Sequence, residues 1–176
     1  MSSLHSTDLK LLEALSELLK FKSYKQIKVS ELVEKASISR RAFYNHYNSK
    51  EDFLEEAILI IFDDITKILN NDLLYECEVV EKVLKYMYNH KGIIHSFVYF
   101  FPKIEILIND YIKEMIVSSN IPNLKKQLEI AYGVPYKFAL EIYVFTIEII
   151  ILQWVRNDFK ESPEKIANYI TTVVRI

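Results

Sequence analysis

Apolar residues recur at three- and four-residue spacing along nearly the whole chain, the period of helices that bury one face. The first ridge, Leu11, Leu12, Leu15, Leu18 and Leu19, predicts a helix opening after Thr7, whose hydroxyl can accept from the free N–H groups of a first turn. A short helix follows over 29–36 with Leu32, Val33 and Ala36 inward, then a turn at Ser37-Ile38. Ser39 is placed to cap a third helix reaching Tyr47, which Asn48-Ser49 ends. Ser49 with Asp52 three positions on is a capping-box pattern that opens a fourth helix ending near Leu69. Further helices are expected near 77–89, 92–100, 103–118, 123–131, 136–158 and 163–174, with prolines only at 102, 122, 135 and 163. The β-branched run Ile149-Ile150-Ile151 sits inside such a pattern, with no hairpin turn beside it. The expected fold is therefore all-α. A head over residues 1–50 joins a larger helical body over 51–176, with no flexible tether between them.

Within the head, two short helices and a tight turn lie inside about twenty residues, the spacing of a helix-turn-helix. In the third helix Phe43 and Tyr47 are four apart and face one side, toward Leu32 and Ala36. At about 100° per residue, Arg41 and Asn45 then centre the opposite side, flanked by Ala42 and Tyr44, with Arg40 near its leading tip. Such an outer face suits a major groove: Arg pairs with guanine, Asn with adenine, and a tyrosine hydroxyl with phosphate.

Charge distribution points the same way. Residues 1–50 hold nine Lys/Arg and five Asp/Glu, net +4, whereas the remainder nets −6. A basic end on an acidic body is what a polyanion-binding head needs, because phosphate attraction supplies most nonspecific affinity. Two glycines in the whole chain exclude a glycine-rich phosphate loop. The single Cys77 excludes an internal disulfide and suits a reducing compartment. His90 and His95 lie five apart, a poor spacing for one helix face to bring them to a metal with Cys77, and no metal or other cofactor is expected. Asp63-Asp64, adjacent on a helix, point apart and read as a solvated face. No nucleophile–base or metal–carboxylate constellation suggests an enzyme. The first residues lack the basic start and long apolar run of an export signal, and the apolar stretch 136–157 is interrupted by Lys137, Glu141, Glu148 and Arg156. A cytoplasmic protein without a membrane partner is expected.

The run 27–51, with its core Phe43-Tyr44-Asn45-His46-Tyr47 followed by Ser49-Lys50-Glu51, resembles the DNA-binding segment of the TetR/AcrR family of bacterial transcriptional regulators. With the first helix, the match covers about residues 7–60. The resemblance implies a homodimer with two heads on successive major grooves of a palindromic operator. It places Ser39, Arg40, Arg41 and Tyr44 at DNA-contacting positions with Asn45 and His46 beside them. Lys50 matches a phosphate-contacting lysine, and Lys28 and Ser30 match positions that often touch the backbone. Two residues depart from the pattern: Ser37 stands where glycine is usual, and Ala42 where a phosphate-binding threonine is common.

The resemblance also implies an all-helical body that senses a ligand or a partner, with the last two helices forming a four-helix bundle across the dimer. The ending from Gln153 to Ala167 is similar to a short-bodied subgroup that includes regulators resembling the dihydroxyacetone kinase operon activator, some of which bind a partner protein. Helix 136–158 is apolar nearly all round, and a helix apolar on every side must be covered on every side. Ala139, Tyr143, Ile150 and Trp154, with Ile166 and Ile170 of the last helix, are the expected dimer face. The aromatic middle, Phe62, Tyr86, Phe97, Phe100, Phe101 and Tyr143, lines an effector pocket or fills a core; residue type alone leaves both open. The function expected is a repressor released from its operator by a ligand, the alternative being a co-regulator whose body binds a partner protein.

Overall fold

A computed structural model of the chain describes residues 6–71, 73–101 and 103–174. Ten α-helices and one 3-10 turn account for the regular structure of the described residues, which include no strand. In chain order they are α1 (Ser6–Leu19), the 3-10 turn Tyr24–Gln26, α2 (Val29–Lys35), α3 (Arg40–Tyr44), α4 (Lys50–Leu69) and α5 (Cys77–Asn89). Then follow α6 (Lys91–Phe100), α7 (Ile104–Val117), α8 (Leu124–Tyr132), α9 (Tyr136–Arg156) and α10 (Pro163–Val173). Most boundaries fall within two residues of those read from the periodicity. The exception is α3, five residues long: Asn45 already caps it, and His46 and Tyr47 turn back to the Phe43 carbonyl.

The chain divides into two compact units. One runs to Asp64 and adds Gly92–Phe101; the other comprises Ile65–Lys91 and the chain beyond Phe101. This differs from the 50/51 division read from the sequence. The first fifteen residues of α4 belong to the head because Phe53, Leu54, Ala57 and Ile58 are almost fully buried there. Helix α6 joins the same unit by close approach to α1. A Cβ on Gly92 would lie 2.5 Å from the Ser16 hydroxyl, so only glycine lets the two helices come this near without a shift.

In the second unit α9 packs against α7, α8 and α10, and α10 packs against α5. Gly133 (φ 66°) ends α8 in the left-handed conformation, and Pro135 leads into α9. The Trp154 indole N–H donates to the Glu161 carbonyl at 2.9 Å, and its ring meets Phe159 edge-on, fixing the return into α10. Ser162 caps that helix, with Pro163 in its first turn. Glu148 is buried in the middle of α9, where it accepts from the Asn109 amide at 2.6 Å.

Candidate nucleic-acid interface

The approach to α3 is a complete Schellman turn. The Ile38 N–H reaches the Val33 carbonyl at 2.9 Å, and the Ser37 N–H reaches Glu34 at 3.0 Å. Ser37 takes φ 55°, so a serine holds the conformation that glycine reaches more easily. Ser39 then caps α3, its hydroxyl accepting the Ala42 N–H at 3.0 Å.

One side of α3 is fastened inward. Phe43 is fully buried and meets Tyr44, Tyr47 and Phe53 at ring distances of 5.3 to 6.3 Å. The Tyr47 hydroxyl donates to the buried Asp8 carboxylate at 2.6 Å, tying the end of the motif to α1. Burial first, and that bond second, push the Tyr47 pKa well above the ordinary phenol value. The other side is open: Ser39, Arg40, Arg41, Asn45 and His46 are exposed, as is Tyr44. No carboxylate pairs with either guanidinium among the described residues, whereas Lys22 pairs with Glu31 and Lys35 with Glu17.

An open cleft of about 530 Å³ brings Lys28, Ser30, Arg40, Tyr44 and Lys50 together. Arg41, Ser39, Asn45 and His46 lie outside it, on the recognition segment. Asn48 also lines the cleft and was not singled out in the sequence. Its backbone and side-chain amides both donate to Asp52, at 2.7 and 2.9 Å, and its place directly before the α4 cap was the available signal. Lys50 differs from expectation. Its side chain is buried, and its ammonium donates to the Tyr24 and Ile27 carbonyls at 2.7 and 2.8 Å instead of projecting outward. Burial lowers its pKa, opposed by Glu51.

The residue types, their exposure and the cleft form a cationic, hydroxyl-bearing surface around a helix held by its aromatic side. Residues 11–57 match the profile of bacterial regulatory proteins of the tetR family, and residues 72–175 match that of a transcriptional regulator C-terminal region. The chain belongs to the TetR family. Both matched profiles are thus those of regulatory proteins. The chain is 23% identical over 186 residues to the HTH-type transcriptional regulator YxbF of Bacillus subtilis (strain 168), matching over 96% of its own length. It spans 45% of the length of that relative. Its fold is similar to that of the dihydroxyacetone kinase operon activator DhaS (TM-score 0.72, 19% identity, covering 96% of this chain and 93% of that one). A TetR transcriptional regulator from Streptococcus agalactiae 2603V is also similar (TM-score 0.64, 20% identity, 96% and 93% covered).

The remaining expected residues of this TetR-family chain are placed as follows. Phe62, Phe97, Phe100 and Phe101 belong to the head unit, and Tyr86 and Tyr143 to the other. Phe97 is buried, Phe100 stacks on Tyr24, Tyr86 lies against His90, and Tyr143 is buried with its pKa pushed up to about 12 by that burial. These four rings thus pack on protein.

The expected dimer face needs correction. Ala139, Tyr143, Trp154, Ile166 and Ile170 are buried within the chain itself, and Ile150 is half-buried. Packing of α9 on α7, α8 and α10 uses that side of the helix. What faces outward is Phe138, Ile142, Phe145 and Ile149, between 43% and 60% exposed and spaced four, three and four apart. Helix α9 is also long and apolar enough to cross a membrane by length and composition. Among the described residues, no three His, Cys, Asp or Glu side chains gather as a metal site.

Proposed function

We propose that this protein is a homodimeric repressor of the cytoplasm that holds a palindromic operator with two heads and releases it when a ligand binds the body. The observation that carries the reading is the division of α3: a fully buried Phe43 on one side, and on the other two exposed guanidiniums without carboxylate partners among the described residues. In this reading Arg41 and Asn45 read base edges, and Arg40, Tyr44, Lys28 and Ser30 meet phosphates, with Ser39 and His46 at the edge of contact. The outward stripe Phe138, Ile142, Phe145 and Ile149 supports pairing through α9. Such a row is better covered by a second copy than by lipid, since Lys137, Glu141 and Glu148 share the helix. Half-sites one helical turn apart, roughly 34 Å, make a small change in head spacing enough to break simultaneous engagement.

A gel-shift with the DNA flanking the protein's own coding region tests the reading. Tyr44→Phe should weaken binding to all sequences by about 1 kcal/mol, the worth of one hydrogen bond. Arg41→Ala should relax preference at one position of each half-site by about 1–3 kcal/mol. If neither affinity nor preference moves, the docking face is wrong.

A second reading is a co-regulator whose body takes a partner protein. Among the aromatic residues expected around a ligand, Phe97 and Tyr143 are buried, Phe100 stacks on Tyr24 and Tyr86 lies against His90, which supports it. DhaS, to which the fold is similar, is described as an operon activator, so activation is the corresponding sign of control.

A further inference from the structure

The peptide group joining Ile27 to Lys28 is held at both ends. Its carbonyl accepts from the Lys50 ammonium at 2.8 Å, and its N–H donates to the Glu31 carboxylate at 3.0 Å. The same ammonium also donates to the Tyr24 carbonyl at 2.7 Å and sits 4.0 Å from the centre of the Tyr24 ring. An ammonium has three N–H donors. Two are used on carbonyls, and the ring face lies close enough to attract the charge. Glu31 is held in turn by Lys22, which keeps its carboxyl below the usual range. Directly after this pinned peptide come the exposed Lys28 side chain and Ser30, both lining the cleft with Arg40 and Tyr44.

We infer that Lys50 is a positioning residue for DNA docking, fixing the backbone that presents Lys28 and Ser30, and is not itself a phosphate contact. The inference rests on the DNA-docking reading above and departs from the contact expected of Lys50 by resemblance. A lysine already donating to two carbonyls inside the fold would have to give up both bonds, leaving the Tyr24 carbonyl with the Ile27 N–H alone, before it could reach a phosphate. Lys28 has no such cost, because its charge is already at the surface.

Lysine acylation of the intact protein, read by mass spectrometry with and without double-stranded DNA at low salt, tests this on the unaltered chain. Lys50 should label slowly in both states, whereas Lys28 should label fast alone and slowly on DNA. Fast labelling of free Lys50 that DNA suppresses would overturn the inference while leaving the docking reading intact. Slow Lys50 with no lysine of the head protected by DNA would sink the docking face, and the positioning role with it.

The salt dependence of binding supplies the readout that a purely structural role would not move. Each phosphate contact contributes roughly 0.9 to the slope of log affinity against log salt. Lys28→Ala and Lys50→Met should each lower the slope by about one contact per head, and the double variant by no more than either alone. Two independent contacts would make the losses add. Lys50→Arg separates the readings again: it keeps the charge a phosphate would accept but does not fit two carbonyls and a ring, so affinity should stay low. Recovery of binding in Lys50→Arg would overturn the assignment.

Discussion

Helices α3 and α9 solve opposite problems. Helix α3 is five residues long and has one aromatic side and one cationic side, so its chemistry alone says which side goes in. Helix α9 is 21 residues long, with apolar groups nearly all round, so its chemistry says that it is covered but not by what. In α3 the buried side is Phe43, and the outer side is Arg40, Arg41 and Asn45, as the pattern requires. In α9 the inward side carries Ala139, Val144 and Trp154, and the outward side carries Phe138, Ile142 and Phe145, which are no less hydrophobic. A face can be assigned from sequence only where the two faces differ in the cost of desolvation. Along α9 they do not, and the packing of neighbouring helices decides.

The largest test of this contrast lies within α9. Trp154→Ala, which empties a fully enclosed site and removes the indole bond to Glu161, should destabilise the chain by about 3–5 kcal/mol in denaturant unfolding. Phe145→Glu alters a residue 56% exposed and should leave the fold of the single chain within about 0.5 kcal/mol of the original. It should instead weaken self-association about 30-fold or more in sedimentation, the loss expected from a central apolar anchor. The inverse pattern, with Trp154→Ala splitting a dimer and Phe145→Glu unfolding the chain, would restore the face first read from the sequence.

Much of the head was legible for the reason just given. Ser39 was placed as a cap because its hydroxyl precedes the first periodic residue, and it accepts the Ala42 N–H. The unusual turn at Ser37 was legible from a missing glycine, and its φ is positive. Lys50 was not legible. A lysine beside Glu51 and Asp52 reads as surface charge, and nothing local reports the two carbonyls, more than twenty residues earlier in the chain, that fold back to meet it. The extent of the head was misread likewise. The burial of α4 and the addition of α6, where Gly92 meets Ser16, depend on contacts distant in sequence.

Tyr143 sharpens the comparison on its inner side. Burial first, and the neighbouring Tyr132 second, hold its pKa at about 12, above the ordinary phenol value near 10. The folded chain therefore binds that proton more tightly than the unfolded one. The associated stability is intact below pH about 10 and is lost as pH rises through about 12, an effect on the order of 2 kcal/mol. Unfolding curves at pH 9 and 11.5 should show a smaller fall for Tyr143→Phe than for the original chain. Tyr24 and Tyr47 shift in the same direction, so the difference between the two proteins, not the total fall, isolates Tyr143. A Tyr143 lying at a hydrated interface between copies would titrate near its ordinary value and leave the two curves parallel.

The smallest effect concerns the head. Ser37 occupies the left-handed region at φ 55°, which costs an L-residue roughly 1–2 kcal/mol. Glycine removes that cost but loses about 0.5–1 kcal/mol through its larger freedom in the unfolded chain. Ser37→Gly should therefore stabilise the protein by about 0.5–1 kcal/mol, the difference between these terms. Neither hydrogen bond of the turn involves the serine side chain, since both run between the backbone groups of Ser37, Ile38, Val33 and Glu34. DNA affinity should then be unchanged, because the substitution relieves strain without moving Arg40, Arg41 or Tyr44. A gain in stability with a loss of affinity would mean that the strained turn aims α3, and that the outer face of the recognition segment is set by backbone geometry as well as by the polarity of its side chains.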